Sequence, residues 1–229
     1  MGKLYAFGCS LVKGDALDDI WDFKTKRTVD KPSKEAWPQI LADKLNLECV
    51  NIGESGVSNK QIWHRIVSTD FQPIKDDDIV VVQWTSLDRW CIIEKDICTK
   101  IGLWQVNESS HTAKANVRAS SFFNLHNDND QFIDLNLRMS HANFYLNSIG
   151  IKQYHLMYKF GVKETILTTN RCYRSSNNML PFNNTTILDS DLKHIQNNLD
   201  TNANDNVHPC AVAHKLHADK IYNEIKQWQ

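Results

Sequence analysis

Three residues of the sequence have the types that nucleophilic catalysis needs: Ser10 near the N-terminus, and Asp205 and His208 near the C-terminus. A serine hydroxyl is a poor nucleophile at neutral pH unless a base, usually a histidine held by a carboxylate, accepts its proton. Asp205 and His208 lie in the run Asp-Asn-Val-His-Pro, a spacing that lets the carboxylate hold the imidazole. These residues predict attack on a carbonyl group, provided that the fold brings the two ends of the chain together.

Each of these residues also has a purely structural interpretation. A serine that ends a strand can cap the next element, and an aspartate before a helix often caps that helix. The catalytic interpretation is favoured by Pro209, which can begin a helix directly after His208. It is also favoured by Gly56, whose amide can approach the negative charge that develops on an attacked carbonyl, although Gly56 can equally serve a turn alone.

The elements that would position these residues alternate between strands and helices. Lys3 to Phe7 is a short apolar strand, and Ser10 stands where it ends. The spacing of apolar residues then predicts a helix over 36–46, a strand over 47–52, a helix capped by Ser58 or Asn59, and a buried strand over 79–84. This alternation predicts a three-layer α/β/α sandwich with a doubly wound, mainly parallel sheet of about five strands, of flavodoxin-like type. The loops after the first three strands open on one edge, which would bring Ser10, Gly56 and Ser86 together.

The rest of the chain is less regular, and we interpret residues 1–229 as a single domain. Residues 11–34 are predicted to form a flap beside Ser10, and residues 88–134 an inserted irregular region over the same face. Further predictions are a long helix over 135–160, a fourth strand over 163–168, a short helix over 189–199, and a final amphipathic helix that buries Val212, Leu216, Ile221 and Ile225.

The composition argues against several classes of protein. The formal net charge of -1 and scattered basic residues create no field that would gather nucleic acid or an acidic membrane surface. No run of about 18 apolar residues predicts a spanning helix, and the first residues lack the pattern of a signal peptide. The six cysteines are widely spaced, as is typical of free thiols in a reducing compartment. These features predict a cytoplasmic protein.

Three blocks of the sequence resemble the SGNH hydrolases of the GDSL esterase and lipase superfamily. Gly8-Cys9-Ser10 corresponds to the family's Gly-Asp-Ser, residues 51–59 resemble its second block, and residues 205–209 match its Asp-x-x-His-Pro before a C-terminal helix. The resemblance covers nearly the whole chain. It implies Ser10 as nucleophile, His208 as base and Asp205 as its orienting partner, with the amides of Ser10 and Gly56 as oxyanion donors and with no cofactor or metal.

The sequence departs from the family pattern at two places. Cys9 replaces an aspartate that is not a member of the triad. The family has a further block between its second and its last, the third in chain order, which is usually Gly-x-Asn-Asp. In this sequence that third block is Trp-Thr-Ser-Leu-Asp-Arg over residues 84–89, so the asparagine donor is missing. Ser86 falls near its place and its hydroxyl could donate, but loss of one oxyanion donor can cost about 10²- to 10³-fold in rate. Sequences with these variants resemble SGNH-like proteins of large tailed bacteriophages, which would allow association with a virion.

Several other residues have both a functional and a structural interpretation. Trp84 suits either a substrate pocket wall or the core. Arg89 could bind a carboxylate or phosphate of a substrate, or form a surface ion pair. His214 and His217, one turn after Cys210, have helical spacing for metal ligands, but a solvated helix face is the favoured interpretation.

Three functions from different classes are therefore compatible with the sequence. The first is a serine esterase or deacetylase that hydrolyses a carboxylic ester, such as an O-acetylated carbohydrate, through an acyl-enzyme at Ser10. The second is a catalytically impaired binding or structural protein, suggested by the altered third block. The third is a flavin or nucleotide binder, which the lack of a phosphate-cradling glycine-rich loop disfavours. The oligomeric state stays open.

Overall fold

The computed structural model describes residues 1–71, 73–94, 97–102, 113–125, 128–158, 185–190, 199 and 202–227. Its strands are β1 (Lys3–Phe7), β2 (Trp21–Asp22), β3 (Arg27–Thr28), β4 (Glu48–Asn51), β5 (Ile79–Gln83), β6 (Trp90–Glu94), β7 (Ile97–Ile101), β8 (Lys152–Tyr158) and β9 (Thr185–Ser190). Its α-helices are α1 (Ser10–Lys13), α2 (Trp37–Leu45), α3 (Asn59–Ser68), α4 (Ala113–Leu125), α5 (Asp128–Ser148) and α6 (Ala211–Gln227). A short 3₁₀ turn spans Asp18–Ile20.

Five strands form one parallel sheet in the order β4-β1-β5-β8-β9, while β2–β3 and β6–β7 are separate antiparallel hairpins. The order is that of a flavodoxin-like, doubly wound sheet, so the predicted fold class is confirmed. β1 lies between β4, which the chain reaches from β1 through α2, and β5, which it reaches from β4 through α3, so the direction of the connections reverses at β1. Ligands of such sheets bind at this switch point, beyond the carboxyl end of β1. Ser10 follows β1 directly and therefore lies at that point.

The sheet is covered on both faces. All five residues of β5 are buried, as the unbroken apolar run predicts for a central parallel strand. The rings of Tyr5 and Phe7 contact Phe71, which follows α3 and contacts Tyr145 of α5 in turn. Because side chains alternate along a strand, the intervening positions of β1 face the opposite layer, where α2 packs against α6. The two central strands next to the site, β1 and β5, are therefore packed on both faces.

Two predicted elements of the second half are wrong. The helix predicted over 135–160 begins earlier and ends at Ser148, and β8 follows it. Gly150 adopts a left-handed backbone with φ of 75°, which favours glycine and turns the chain out of the helix. The inserted region over 88–134 is regular rather than irregular in the residues described, since it contains β6, β7, α4 and the start of α5.

Two other predictions concern the least described part of the chain. The strand over 163–168 lies outside the described residues. Of the helix predicted over 189–199, residues 189–190 belong to β9 and residues 191–198 lie outside the described residues. No helix among the described residues combines the length and the apolarity that would be needed to cross a membrane.

The final helix is present, but it buries a different face from the predicted one. Val212 and Leu216 are 54% and 45% exposed, whereas Ile221 and Ile225 are buried as expected. The buried positions at the start of α6 are Ala213, His214, His217 and Ala218. The small and polar residues one step along the helix therefore face the core, because they fit against Trp37 of α2.

Candidate active site

Ser10 is placed by a sharp passage from strand to helix. β1 ends at Phe7, Cys9 has an extended backbone, and Ser10 opens the short helix α1. The Cys9 carbonyl accepts hydrogen bonds from the amides of Val12 and Lys13, at 2.9 and 3.1 Å. Cys9, which replaces the family's aspartate, is 2% exposed and belongs to the core. α1 therefore begins just beyond the carboxyl end of β1, with Ser10 as its first residue.

Two glycines let neighbouring loops approach α1. A Cβ atom on Gly8 would lie 2.3 Å from Val12 Cγ2 and 2.9 Å from the Gln83 carbonyl oxygen of β5. A Cβ atom on Gly53 would lie 2.4 Å from the Lys13 amide nitrogen. Because neither position has room for a side chain, both must be glycine for the loops after β1, β4 and β5 to meet. These close contacts give Gly8 and Gly53, which belong to the first two sequence blocks, a structural reason to be glycine.

Asn51, at the end of β4, fastens the second loop to α1. Its Nδ2 donates to the Val12 carbonyl at 2.8 Å, and its Oδ1 accepts from the Gly53 amide at 2.9 Å. The Glu54 amide adds a bond of 3.0 Å to the Gly8 carbonyl. The sequence contains Asn51 as the first residue of the second block, but its positioning role depends on contacts with a distant segment. The loop that carries Gly56 is thereby held beside the Ser10 turn.

Gly56 itself has φ of 72°, a left-handed conformation that favours glycine. Two residues later Ser58 caps α3, since its side chain accepts a hydrogen bond from the Gln61 amide at 3.3 Å. Of the two predicted caps, Ser58 is therefore the one used.

Asn59 has a different role, which sequence reasoning missed. Its Nδ2 donates to the Thr85 carbonyl at 2.9 Å, and the Thr85 amide donates back to its Oδ1 at 2.8 Å. Both residues are buried. The loop that carries Ser86 is thus fastened to the first turn of α3, immediately after the Gly56 loop. The three predicted loops converge on one edge of the sheet, as the fold class requires.

Trp84 lies in the core, so its interpretation as a substrate contact is corrected. The side chain is fully buried, and its Nε1 donates to His155 Nδ1 of β8 at 2.9 Å. The two rings stack with centroids 5.8 Å apart. Arg89 is partly buried at the start of the β6–β7 hairpin, and its contact with a substrate stays a prediction.

The structure brings Asp205 and His208 into direct contact. Asp205 Oδ2 and His208 Nδ1 are 2.6 Å apart, and Asp205 Oδ1 accepts hydrogen bonds of 2.9 Å from the amides of Val207 and His208. Partial burial by itself would raise the pKa of Asp205, but the hydrogen bonds from the His208 ring and from these amides lower it to about 2. The carboxylate is therefore ionised at neutral pH and fixes the imidazole through Nδ1.

The C-terminal loop is tied to the segment that follows α1. The Asn204 amide and its Nδ2 both donate to the Ala16 carbonyl, at 3.1 and 2.8 Å, and Nδ2 also donates to Asp18 Oδ1 at 2.7 Å. The two ends of the chain meet in this way. Among the described residues no hydrogen bond joins the Ser10 hydroxyl to the His208 ring. In enzymes without substrate such bonds are often long.

The favoured interpretation of His214 and His217 as a solvated helix face is wrong. They are 1% and 0% exposed, and burial lowers the pKa of each to about 3. His214 Nδ1 accepts a hydrogen bond from the Trp37 amide at 3.2 Å, and the His217 ring meets the Trp37 ring edge-on at 5.6 Å. Within the described ranges no group of three or more metal-ligating side chains converges. These histidines are neutral members of the core.

Comparison with known proteins supports the fold. No model of a known family and no curated protein matches the chain. It is similar to a structure described as a lipolytic protein of the G-D-S-L family from Desulfitobacterium hafniense DCB-2, with 11% identity, a TM-score of 0.55 and coverage of 97% of this chain and 99% of that chain. It is also similar to the psychrotrophic esterase EstA from Pseudoalteromonas sp., with 13% identity, a TM-score of 0.56 and coverage of 100% and 98%.

A third similar structure is a carbohydrate esterase whose active site displays divergent catalytic and non-catalytic binding functions. The identity is 9%, the TM-score is 0.52, and the match covers 99% of this chain and 65% of that chain. At sequence identities of 9–13% these similarities show only that the folds are alike. The chain has the fold of the SGNH hydrolases.

Proposed function

We propose that the protein is a serine esterase or deacetylase that cleaves a carboxylic ester through an acyl-enzyme at Ser10. The observation that carries the proposal is the 2.6 Å contact between Asp205 Oδ2 and His208 Nδ1 in a loop bonded to Ala16, six residues beyond Ser10. A carboxylate at Nδ1 leaves Nε2 as the basic nitrogen, which is the arrangement that activates a serine hydroxyl.

In the first half-reaction His208 Nε2 removes the hydroxyl proton of Ser10 as its oxygen attacks the ester carbonyl. The imidazolium then gives that proton to the departing alcohol, and the acyl group stays on Ser10. In the second half-reaction a water molecule loses a proton to His208 and attacks the acyl carbon, the bond from that carbon to the Ser10 oxygen breaks, and the imidazolium returns the proton to Ser10 as the carboxylic acid leaves. Asp205 remains ionised throughout and stabilises the imidazolium.

The negative charge on the tetrahedral intermediate needs hydrogen-bond donors. We assign this role to the amides of Ser10 and Gly56 and to the hydroxyl of Ser86, which stands near the place of the family's asparagine. The loops that carry these donors are fastened by Asn51 and Asn59 to the Ser10 turn and to α3. Because a hydroxyl rotates freely and an amide does not, we expect Ser86 to be a weaker donor than asparagine.

An O-acetylated carbohydrate is the substrate class that we propose. Support comes from the carbohydrate esterase among the similar folds and from a polar cleft of about 460 Å³ beside the Gly56 loop. Its lining includes Lys13, Asp30, Glu54, Arg65 and Lys100. Hydroxyl-rich ligands suit a lining of charged donors and acceptors, whereas the long acyl chain of a lipid does not.

The alternative function is a binding or structural protein that has kept the fold without efficient chemistry. The missing asparagine of the third block favours it, as does the non-catalytic binding attributed to the carbohydrate esterase above. The resemblance to SGNH-like proteins of tailed bacteriophages belongs to this alternative, in which the protein would associate with a virion. It predicts that the chain binds a polysaccharide without releasing acetate.

Hydrolysis of p-nitrophenyl acetate and butyrate by the purified protein tests the proposal. We expect turnover by the wild type, faster with acetate, and loss of turnover in Ser10→Ala and His208→Ala with unchanged circular dichroism. Equal rates in all three proteins would overturn the proposal and favour the binding protein. Ser68→Ala is a matched control, because Ser68 ends α3 and is exposed.

A further inference from the structure

Two lysines from different elements converge on Ser55, the residue before the proposed oxyanion donor Gly56. Lys13 of α1 donates from Nζ to the Ser55 hydroxyl at 3.3 Å. Lys100 of β7 donates from Nζ to the Ser55 carbonyl at 2.6 Å. Two cationic side chains therefore hold the β4–α3 loop at Ser55, one through the Ser55 hydroxyl and the other through the Ser55 backbone carbonyl.

The bond from Lys100 bears directly on Gly56. The Ser55 carbonyl and the Gly56 N–H belong to one peptide unit, which is planar, and in its trans form the two groups point in opposite directions. An ammonium fixed on the carbonyl therefore sets the direction of the Gly56 N–H. It also draws electron density toward the oxygen and makes the N–H a stronger donor, as in other polarised hydrogen-bond chains.

The neighbours of Lys100 keep its ammonium in this place. Nζ also forms an ion pair with a carboxylate oxygen of Glu54, which is paired in turn with Arg65. Arg65 Nη1 donates to the Ile52 carbonyl at 3.1 Å. The Lys100 side chain is 30% exposed. Lys100 also lines the polar cleft proposed for a carbohydrate. Because p-nitrophenyl acetate has no sugar to occupy that cleft and the hydrogen-bond partners of Lys100 lie in the loop, Lys100 acts on the turnover of this ester through the loop.

Lys13 holds the other side of the loop from the helix that begins with Ser10. Its side chain is only 7% exposed, and its charge is balanced by Asp15 at 3.4 Å and Asp30 at 3.5 Å. A buried charge without partners is strongly destabilising, so the ammonium is confined to this position.

We propose that Lys100 is a positioning residue, which holds the Ser55–Gly56 peptide so that its N–H meets the oxyanion, and that Lys13 is the second anchor of that peptide. The proposal rests on the proposed function for the role of Gly56. It gives the β6–β7 hairpin, part of the inserted region, a task in the reaction: the hairpin carries the cation that orients an oxyanion donor.

The test compares Lys100→Met, Lys100→Arg and Lys13→Met with the wild type in p-nitrophenyl acetate turnover and in amide hydrogen exchange of residues 53–57. Lys44→Met is the matched control, because Lys44 forms an ion pair of similar exposure with Asp219 at 2.7 Å on the α2–α6 pair. We expect Lys100→Met to lower kcat about tenfold with KM within about twofold, since a misdirected donor costs less than the roughly 10²-fold loss of a whole donor.

We also expect faster exchange in the loop of Lys100→Met, a smaller effect in Lys13→Met, and partial recovery in Lys100→Arg, which retains a donor. Unchanged kcat and exchange in Lys100→Met would overturn the proposal. A higher KM at constant kcat would also overturn it, because it would make Lys100 a substrate contact. If the wild type has no turnover, the proposed function and the oxyanion role fail together, and the exchange rates still decide whether Lys100 holds the peptide. If Lys100→Met does not fold, Lys100→Gln, which removes the charge but keeps a polar side chain, carries the same comparison.

Discussion

Asn59 and Thr85 are joined by two reciprocal hydrogen bonds, from Asn59 Nδ2 to the Thr85 carbonyl and from the Thr85 amide to Asn59 Oδ1. An amide side chain is the group that can satisfy a carbonyl and an N–H of one backbone residue in this way. The bond pair links the first turn of α3 to the loop after β5, and it thereby joins the second and third loops of the site.

Asn59→Leu should therefore destabilise the protein by about 2–4 kcal/mol, because it leaves two buried backbone groups without partners at about 1–3 kcal/mol each, partly relieved by relaxation. Urea unfolding measures the change. Gln39→Leu is the control, since the bond from Gln39 to Asp43 at 2.8 Å is exposed and its loss should cost less than about 0.5 kcal/mol. Equal effects at the two positions would contradict the role assigned to Asn59.

Gly53→Ala should impair the site more than the fold. The new Cβ would lie 2.4 Å from the Lys13 amide nitrogen, so α1 and Ser10 must shift. We expect kcat to fall at least tenfold, and stability to fall by about 1–3 kcal/mol. Gly150→Ala is the comparison: its Cβ meets nothing within 4 Å, but φ of 75° strains alanine there. It should cost about 1 kcal/mol of stability and leave kcat unchanged. An unaffected kcat in Gly53→Ala would show that α1 tolerates the shift.

Asp205→Asn should lower kcat by about 10³- to 10⁴-fold, because the amide cannot stabilise an imidazolium and favours the wrong tautomer of His208. KM should change little, since Asp205 contacts His208 rather than the substrate. Steady-state kinetics on p-nitrophenyl acetate measure both constants. Asp18→Asn is a control for the loop, because Asp18 accepts a hydrogen bond from Asn204 outside the proposed triad. A loss in Asp18→Asn as large as that in Asp205→Asn would point to loop position rather than to charge.

Three buried histidines should make the protein sensitive to mild acid. Burial lowers the pKa of His155 to about 4 and those of His214 and His217 to about 3, from 6.5. The folded state keeps them neutral while the unfolded chain binds protons below pH 6.5, so stability is lost as the pH falls from 6.5 toward 4. At pH 5 the loss is about 2 kcal/mol for each histidine and about 6 kcal/mol in all, comparable with the whole stability of many domains.

Urea unfolding at pH 7 and pH 5 measures this loss. The free energy of unfolding of His217→Leu should depend less steeply on pH than that of the wild type. At pH 5 the slope should correspond to about one proton fewer taken up on unfolding. Asp205 affects stability in a lower pH range. Its pKa of about 2 lies below the usual 3.8, so the stability that its ionised carboxylate contributes is present above pH 3.8 and is lost as the pH falls through 2. A stability that is flat between pH 7 and 5 would contradict the neutral burial of the histidines.

Local pattern was sufficient for the elements that position Ser10. β1 has its predicted limits, and β5 ends one residue before the predicted limit of 84. β5 was predictable because four consecutive aliphatic residues suit a strand that is covered on both faces. The contact between Asp205 and His208 was also predictable from local pattern. Its two hydrogen bonds, to the His208 ring and to the His208 amide, join residues that are three apart in the sequence.

Longer-range polar contacts explain what local pattern missed. The helix predicted over 135–160 included the residues of β8, in which Gln153 and His155 are buried. His155 bonds to Trp84 and to Gln153, and Gln153 Nε2 donates to the Asn143 carbonyl at 3.1 Å. Such satisfaction depends on partners from other elements, which spacing does not reveal. The face of α6 was misplaced by one residue, because spacing does not reveal that the His214 ring accepts a hydrogen bond from the Trp37 amide and that the His217 ring packs edge-on against the Trp37 ring.

The central claim is that Ser10 is a nucleophile activated by His208, and covalent labelling by a fluorophosphonate tests it most directly. The predicted result is a single adduct at Ser10, identified by peptide mass spectrometry, with no adduct in Ser10→Ala and labelling at least about 10²-fold slower in His208→Ala. Ser68→Ala should be labelled at the wild-type rate. An unlabelled wild-type protein, or labelling that is equally fast without His208, would contradict the account.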